Sequence, residues 1–212
     1  MVDIAQDTLS DATSSSTVTF TFSAAPVGFT ASDITAVGGT VSGLAATGNP
    51  LVYTATFTAT DGFRGTGSVS VAAGSYTTPT GTPGDTGSDL VDIDRENPTV
   101  TVDIASGSLS DGAPSSTVTF IFSEAPVGFG AGDITAVGGT ISGLTATADP
   151  LVYTATYTAT DGFRGPGSVS VAAGSYTDDS LNAGSSGSDT VAIDRENPTV
   201  TVDIADSALS DG

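Results

Sequence analysis

The chain has 212 residues and carries 24 Asp or Glu against four Arg, with no Lys, His or Cys and a formal net charge of −20. The absence of Cys excludes disulfides, thiolate metal sites and thiol catalysis, and without His or Lys the one common general base left is carboxylate. So acidic a surface repels nucleic acid and anionic membranes, and no apolar run reaches the ~18 residues that a membrane-spanning helix needs.

The acids are themselves biased: only Glu96, Glu124 and Glu196 are Glu, and the rest are Asp. An Asp-rich, Lys-free surface repels itself unless cations neutralise it. Calcium is the natural partner, because short carboxylates on tight loops supply the hard oxygen ligands it prefers. An acidic coat suited to a salty habitat is the other reading, and the two can coexist.

The chain opens with Met1-Val2-Asp3-Ile4, which has no basic region ahead of an apolar one. It is not a signal peptide and reads as an initiator Met placed on an excised fragment. Val2-Asp3-Ile4-Ala5 then returns as Val102–Ala105 and again as Val202–Ala205, a period of 100 residues. At that offset roughly 73 of the first hundred positions are identical. A period of this length is a domain, too long for a solenoid turn. The predicted layout is a first repeat over 1–95 with its first strand truncated, a second over 96–195, and over 196–212 the first strand of a third. The tail after about Asp206 is expected to be mobile.

Within a repeat the apolar residues alternate with period two. In chain order, Val100, Val102 and Ile104 share a face, then Val118, Phe120 and Phe122. Gly138-Gly139 and Gly143 separate two further short strands. Tyr153, Ala155 and Tyr157 follow, then Val169 and Val171, then Val191 and Ile193. Thr and Ser fill the alternate positions, the signature of antiparallel strands with one buried face. Gly, Pro, Asp and Asn punctuate between them. About seven antiparallel strands per hundred residues predict an all-β chain of tandem immunoglobulin-like β-sandwich domains, arranged end to end. A single large barrel is hard to square with so regular a repeat.

An odd number of up-and-down strands brings the chain in at one pole and out at the other. The incoming pole then holds the second-to-third and sixth-to-seventh strand loops. The outgoing pole holds the first-to-second and fifth-to-sixth loops and the end of the last strand. At the outgoing pole of repeat 1 this places Asp11, Asp61, Asp92 and Asp94. At the incoming pole of repeat 2 it places Glu96, Asn97, Glu124, Asp178, Asp179 and Asn182, with Asp133 near. Only Arg64 and Arg95 offer compensation, and such a cluster can supply the six to eight oxygens of a calcium site. The outgoing pole of repeat 2 carries the matching set Asp111, Asp161, Asp194 and Glu196, with Ala192 replacing Asp92. Asp92, Asp94 and Glu96 in an extended linker lie about 7 Å apart on one side, and Pro98 holds Asn97 extended. A solvated connector whose acids merely keep the joint soluble is the alternative, and Asp11 and Asp61 can equally be turn residues. Arg64 and Arg164 are expected to pair with a nearby Asp at the outgoing pole.

The two repeats differ where it matters for this reading. Repeat 1 has Ala24, Thr78-Pro79 and Thr82 where repeat 2 has Glu124, Asp178-Asp179 and Asn182. All of these fall on the incoming pole and all remove an oxygen ligand. The second repeat's incoming pole is therefore expected to bind metal, and the first's to be weakened or lost.

The segments Phe122-Ser-Glu-Ala-Pro-Val-Gly-Phe129, Asp133-Ile-Thr-Ala-Val-Gly-Gly139, Tyr153-Thr-Ala-Thr156 and Ala173-Gly-Ser-Tyr-Thr-Asp178, with Asn182, resemble the bacterial immunoglobulin-like extender repeats of RTX adhesins and biofilm-associated surface proteins. The resemblance covers essentially the whole chain. It implies calcium at and near domain junctions, with Glu124, Asp178, Asn182, Asp94 and Glu96 at the matching acidic positions. It also implies export by type I secretion to the bacterial cell surface and a stalk that holds a ligand-binding tip away from the cell. Repeat 1 departs from the pattern at Ala24 and Thr78.

The partners expected are neighbouring repeats of the same chain, with no nucleic acid and no membrane insertion, and the fragment itself is expected to be a monomer. Catalysis is not expected, since a glycosidase would need two facing carboxylates over an apolar or aromatic floor and the chain has no Trp. Thr54–Thr56 and Thr58–Thr60 open a different reading, an adhesive module that itself binds glycan, ice or another surface. Outward Thr also follows from β-propensity alone.

Overall fold

The structure is a computed structural model and describes residues 1–204. Repeat 1 forms β1 (Val2–Ile4), β2 (Thr8–Leu9), β3 (Ser15–Thr21), β4 (Ile34–Val37), β5 (Gly39–Ala46), β6 (Val52–Ala59), β7 (Arg64–Val71) and β8 (Gly87–Asp94). Repeat 2 forms β9 (Val100–Ile104), β10 (Ser108–Ser110), β11 (Ser115–Phe122), β12 (Ile134–Val137), β13 (Gly139–Ala146), β14 (Val152–Ala159), β15 (Arg164–Val171) and β16 (Gly187–Asp194). Each repeat is a sandwich of two four-stranded sheets. Their orders are β1-β3-β6-β5 with β2-β8-β7-β4, and β9-β11-β14-β13 with β10-β16-β15-β12.

The alternation that predicts the strands also builds the core. Val18, Phe20, Phe57, Val69, Val91 and Ile93 point inward and are buried, as are their counterparts Val118, Phe120, Tyr157, Val169, Val191 and Ile193. The intervening Thr and Ser stand on the outer faces, where a β-branched polar side chain suits the pleat. Beneath each incoming pole lies an aromatic cluster. In repeat 2 the Phe122 ring meets Phe129, Tyr153 and Tyr176 edge-on, at centroid distances of 4.9, 5.8 and 5.0 Å, an arrangement that adds to simple burial. A Cβ on Gly184 would fall on the Tyr176 ring, so that glycine is what lets the ring lie flat under the pole.

The strand count is eight per repeat, against about seven expected, because the first strand divides between the sheets. Ala5 N still donates to Thr17 O in one sheet, while Asp7 O accepts from Asp92 N in the other. The second half thereby pairs in parallel with the last strand, Thr8 opposite Asp92 and Leu9 opposite Ile93. The chain nevertheless enters and leaves at opposite poles, and the loops sort as expected.

A first strand of a third repeat does not form over the described part of 196–204. Val200, Val202 and Ile204 are 86, 80 and 77% exposed. The identical residues Val100, Val102 and Ile104 become β9 only by pairing with β11. The expectations for 205–212, including the tail after Asp206, lie outside the described residues.

Candidate metal site at the domain junction

Strand β8 ends at Asp94 and β9 begins at Val100, so five residues join the domains. Arg95 turns back onto the outgoing pole of repeat 1. Its N–H donates to Phe63 O at 2.9 Å and its carbonyl accepts from Gly62 N at 3.0 Å. Its guanidinium, 15% exposed, reaches Asp11 at 3.1 Å, Asp61 at 3.2 Å and Ala59 O at 2.7 Å. Arg195 repeats this clamp on Asp111 and Asp161. Asp11 and Asp61 are therefore held by an arginine and do not join a junction cluster of carboxylates. The turn at Arg95 also ends the extended alternation, so Glu96 points to solvent and comes no nearer to Arg64 than 3.9 Å.

Three carboxylates do converge. Asp94 at the end of β8, Glu124 in the β11–β12 loop and Asp178 in the β15–β16 loop place oxygens within 4.8 Å of one another. One comes from repeat 1 and two from repeat 2. Asp178 is 2% exposed, and Asn182 beside it is fully buried. Asn182 knits the joint: its Nδ2 donates to Asp94 O and to Asp178 Oδ2, both at 2.9 Å. Its Oδ1 accepts from Asp11 N at 2.9 Å, and its backbone N–H donates to Asp178 Oδ1. Ser180 Oγ donates to Asp94 Oδ2 at 3.2 Å.

One cation faces this group. Arg64 Nη1 donates to Glu124 Oε1 at 2.7 Å across the domain boundary and lies 3.7 Å from Asp94 through Nε. It does not offset the whole charge. Desolvation raises the Glu124 carboxyl above its ordinary value of 4.5; Arg64 works against the rise, and Asp94, Asp178 and Glu96 add to it.

The same loop in repeat 1 is an internal control. There Thr78 N donates to Thr82 O and Gly81 N to Thr78 O, as Asp178 N does to Asn182 O and Leu181 N to Asp178 O. The Thr78 hydroxyl caps Thr82 N at 3.1 Å, just as the Asp178 carboxylate caps Asn182 N. A hydroxyl thus suffices to shape the loop, and burying a charged Asp178 beside two other acids is unnecessary for folding. Leu181 has φ 66°, a left-handed conformation that repeat 1 gives to Gly81, so the acidic version of the loop also carries backbone strain.

The donor set suits a hard cation. Three carboxylates offer up to six oxygens, with no nitrogen or sulfur ligand to favour zinc or copper. Asp94, Glu124 and Asp178 are the residues that would hold it. The other expected ligands lie elsewhere. Asn97 and Asp179 are exposed. Asp92, also exposed, stands on the outer face of β8 opposite Thr66. Asp133 caps Gly130 N in the turn before β12. Asp194 and Glu196 pair with Arg164 at the far pole, at 3.7 and 3.4 Å. Arg64 and Arg164 each approach the expected strand-end Asp, and Arg64 also spans the junction. Sequence reasoning missed Ser180, Tyr176, which donates to Pro98 O at 3.1 Å, and the Arg95 clamp. Ser180 and Tyr176 left no signal, since repeat 1 has Thr80 and Tyr76 in their places.

The sequence profile of a bacterial Ig-like domain matches residues 1–93 and again 94–195. No curated protein sequence matches. Among solved structures the chain is similar to invasin, a bacterial integrin-binding protein, at 18% identity over 91% of this chain and 39% of that one, with TM-score 0.43. It is similar to InvD of Yersinia pseudotuberculosis at 22% identity over 96% of this chain and 60% of that one, with TM-score 0.32. It is also similar to the adhesin InvE of Yersinia pseudotuberculosis at 15% identity over 91% and 58%, with TM-score 0.37. The chain thus spans between 39 and 60% of these relatives' own lengths.

Proposed function

Because the chain belongs to the bacterial Ig-like domain family, as two tandem copies, we propose that it is a structural extender segment of a large bacterial surface adhesin, stiffened by calcium held between its repeats. The observation that carries this reading is the shared carboxylate group: Asp94 from one domain with Glu124 and Asp178 from the next. Bound calcium supplies the positive charge that three converging acids lack. Asp94, Glu124 and Asp178 bind it from both sides of the linker, so that bending the joint would pull a ligand away. Asn182 orients two of those ligands, and Arg64 holds Glu124 in the absence of metal. Near-identical repeats add length, and a five-residue linker clamped by Arg95 leaves no slack.

Calcium then couples stiffness to location. Extracellular modules bind with Kd about 10⁻⁴–10⁻³ M, so at about 1 mM calcium one site at the tighter end stabilises by roughly 1.4 kcal/mol. Inside the cell, where calcium is scarce, the joint is loose, which suits export by type I secretion in the manner of RTX adhesins. Outside, it stiffens and projects a ligand-binding tip from the cell surface.

Thermal melting and small-angle scattering with calcium and with chelator test this. Calcium should raise the melting temperature by several degrees and narrow the distribution of interdomain distances. The variant Glu124→Ala, Asp178→Thr, Asn182→Thr, which gives repeat 2 the residues of repeat 1, should lose both responses and still fold. A wild-type chain with the same melting temperature and length in calcium and chelator would remove calcium from the proposal.

A further inference from the structure

Arg64 stands where the two domains meet, and its surroundings are uneven. It opens β7 directly opposite Asp94, the last residue of β8. Yet its shortest contact is with the other domain. Nη1 lies 2.7 Å from Glu124, against 3.7 Å from Nε to Asp94 and 3.9 Å from Nη1 to Glu96. Among the described residues, Arg64 with Glu124 is the one ion pair that joins the two repeats. Of the three carboxylate partners of Arg64, Glu96 alone lies outside the group that converges with Asp178. The side chains differ in freedom: Arg64 and Glu96 are 51 and 58% exposed, Glu124 only 20%. The guanidinium can therefore swing through solvent while the carboxylate it grips stays in the joint.

A cation held by Asp94, Glu124 and Asp178 would share two of its ligands with that guanidinium. Like charges so close repel in a partly desolvated joint, and the hydrogen bond from Arg64 already occupies one oxygen of Glu124. Resting on the calcium reading, we propose that Arg64 is a tethered counterion which calcium has to displace from Glu124, and that Glu96 receives the displaced guanidinium. The chain thereby carries its own competitor for the site, and Arg64 sets how much calcium the joint needs before it stiffens.

The competition has a definite sign. Without metal, Arg64 offsets part of the charge of Asp94 and Glu124 and so steadies the joint. With calcium bound, that contribution is redundant. By linkage, the stability that Arg64 adds to the metal-free joint equals the affinity it takes from the site. Exposed ion pairs contribute little and charge-assisted hydrogen bonds rather more, which puts a half-exposed pair of this kind at about five- to tenfold in Kd. One such pair is also weaker than three carboxylates on a single ion, so the joint keeps its alignment without calcium but not its stiffness.

Calorimetric titration of the 212-residue chain with calcium tests this. Arg64→Gln should bind calcium about five- to tenfold more tightly than wild type. Arg164→Gln makes the same change at the matching position of repeat 2, where the partners are Asp194 and Glu196, and should leave the affinity unchanged. In chelator Arg64→Gln should melt below wild type, and in saturating calcium the two should melt together. Glu96→Gln should weaken binding in wild type and weaken it less in Arg64→Gln, a coupling that the double-mutant cycle isolates. A wild-type chain that binds no calcium would remove the calcium reading, and the role of Arg64 with it. If wild type binds but Arg64→Gln binds no more tightly, or Glu96→Gln is equally harmful in both backgrounds, the competition is overturned and the calcium reading stands.

Discussion

The incoming poles of the two repeats are the same loops carrying different chemistry. In repeat 1 the strand-joining loop is closed by hydroxyls, with Thr78 bonded to Thr80 at 2.9 Å and capping Thr82. In repeat 2 it is closed by a buried carboxylate and a buried amide, Asp178 and Asn182. Since both loops fold alike, the acidic set answers a demand other than folding, and the nearest one is the neighbouring domain. Asn182 bonds Asp94 and Asp11, both on repeat 1.

The sharpest way to break this comparison is to remove the amide. Asn182→Ala deletes the donor shared by Asp94 and Asp178 and the acceptor of Asp11 N, leaving buried polar groups unpaired. It should cost roughly 2–3 kcal/mol, read by urea unfolding. Thr82→Ala at the equivalent exposed position should cost less than about 0.5 kcal/mol. Equal losses at the two positions would mean that the loops are doing the same job.

A smaller effect separates the two tyrosines beneath the poles. Tyr176 donates to Pro98 O and Ser185 O at 3.1 Å, whereas Tyr76 reaches only Asp85 O at 3.3 Å. Tyr176→Phe should therefore cost about 1 kcal/mol and Tyr76→Phe a few tenths. Burial pushes the Tyr176 phenol up to about 12, from its ordinary 10. The folded state keeps that proton while the unfolded chain loses it, so the stability it contributes is present below pH 10 and is lost as pH rises through 12. Alkaline melting curves of wild type and Tyr176→Phe should converge across that window.

Much of this was legible because it is local. Alternation places Val118, Phe120 and Phe122 inward whatever the rest of the chain does, and the count of strands sorts the loops to poles. The divided first strand was not legible, because it depends on Asp7 O meeting Asp92 N, a pairing of residues 85 positions apart. The site divides the same way. Asp178, Asn182 and Glu124 stand out because the copies differ there, and Asp94 because it ends a strand. Asp11 and Asp61 look identical to ligands in sequence. What sets them apart is the backward turn of Arg95, fixed by its two backbone bonds to Gly62 and Phe63.

The finest probe of the comparison is proton titration without metal. Glu124 is raised above 4.5 chiefly by desolvation, so between 4.5 and its folded value the folded state binds more protons than the unfolded chain. Stability of the metal-free junction should then rise as pH falls through that window and decline as pH rises out of it. Ala24 gives the other pole no counterpart. The measurement is the difference in melting temperature between wild type and Glu124→Gln, in chelator, from neutral pH down to 4.5. Gln supplies the uncharged form at every pH, so the variant should be the more stable protein at neutral pH and the difference should shrink in acid. If the difference stays constant, the acids at the joint are not in conflict, and the case for a cation between them weakens with it.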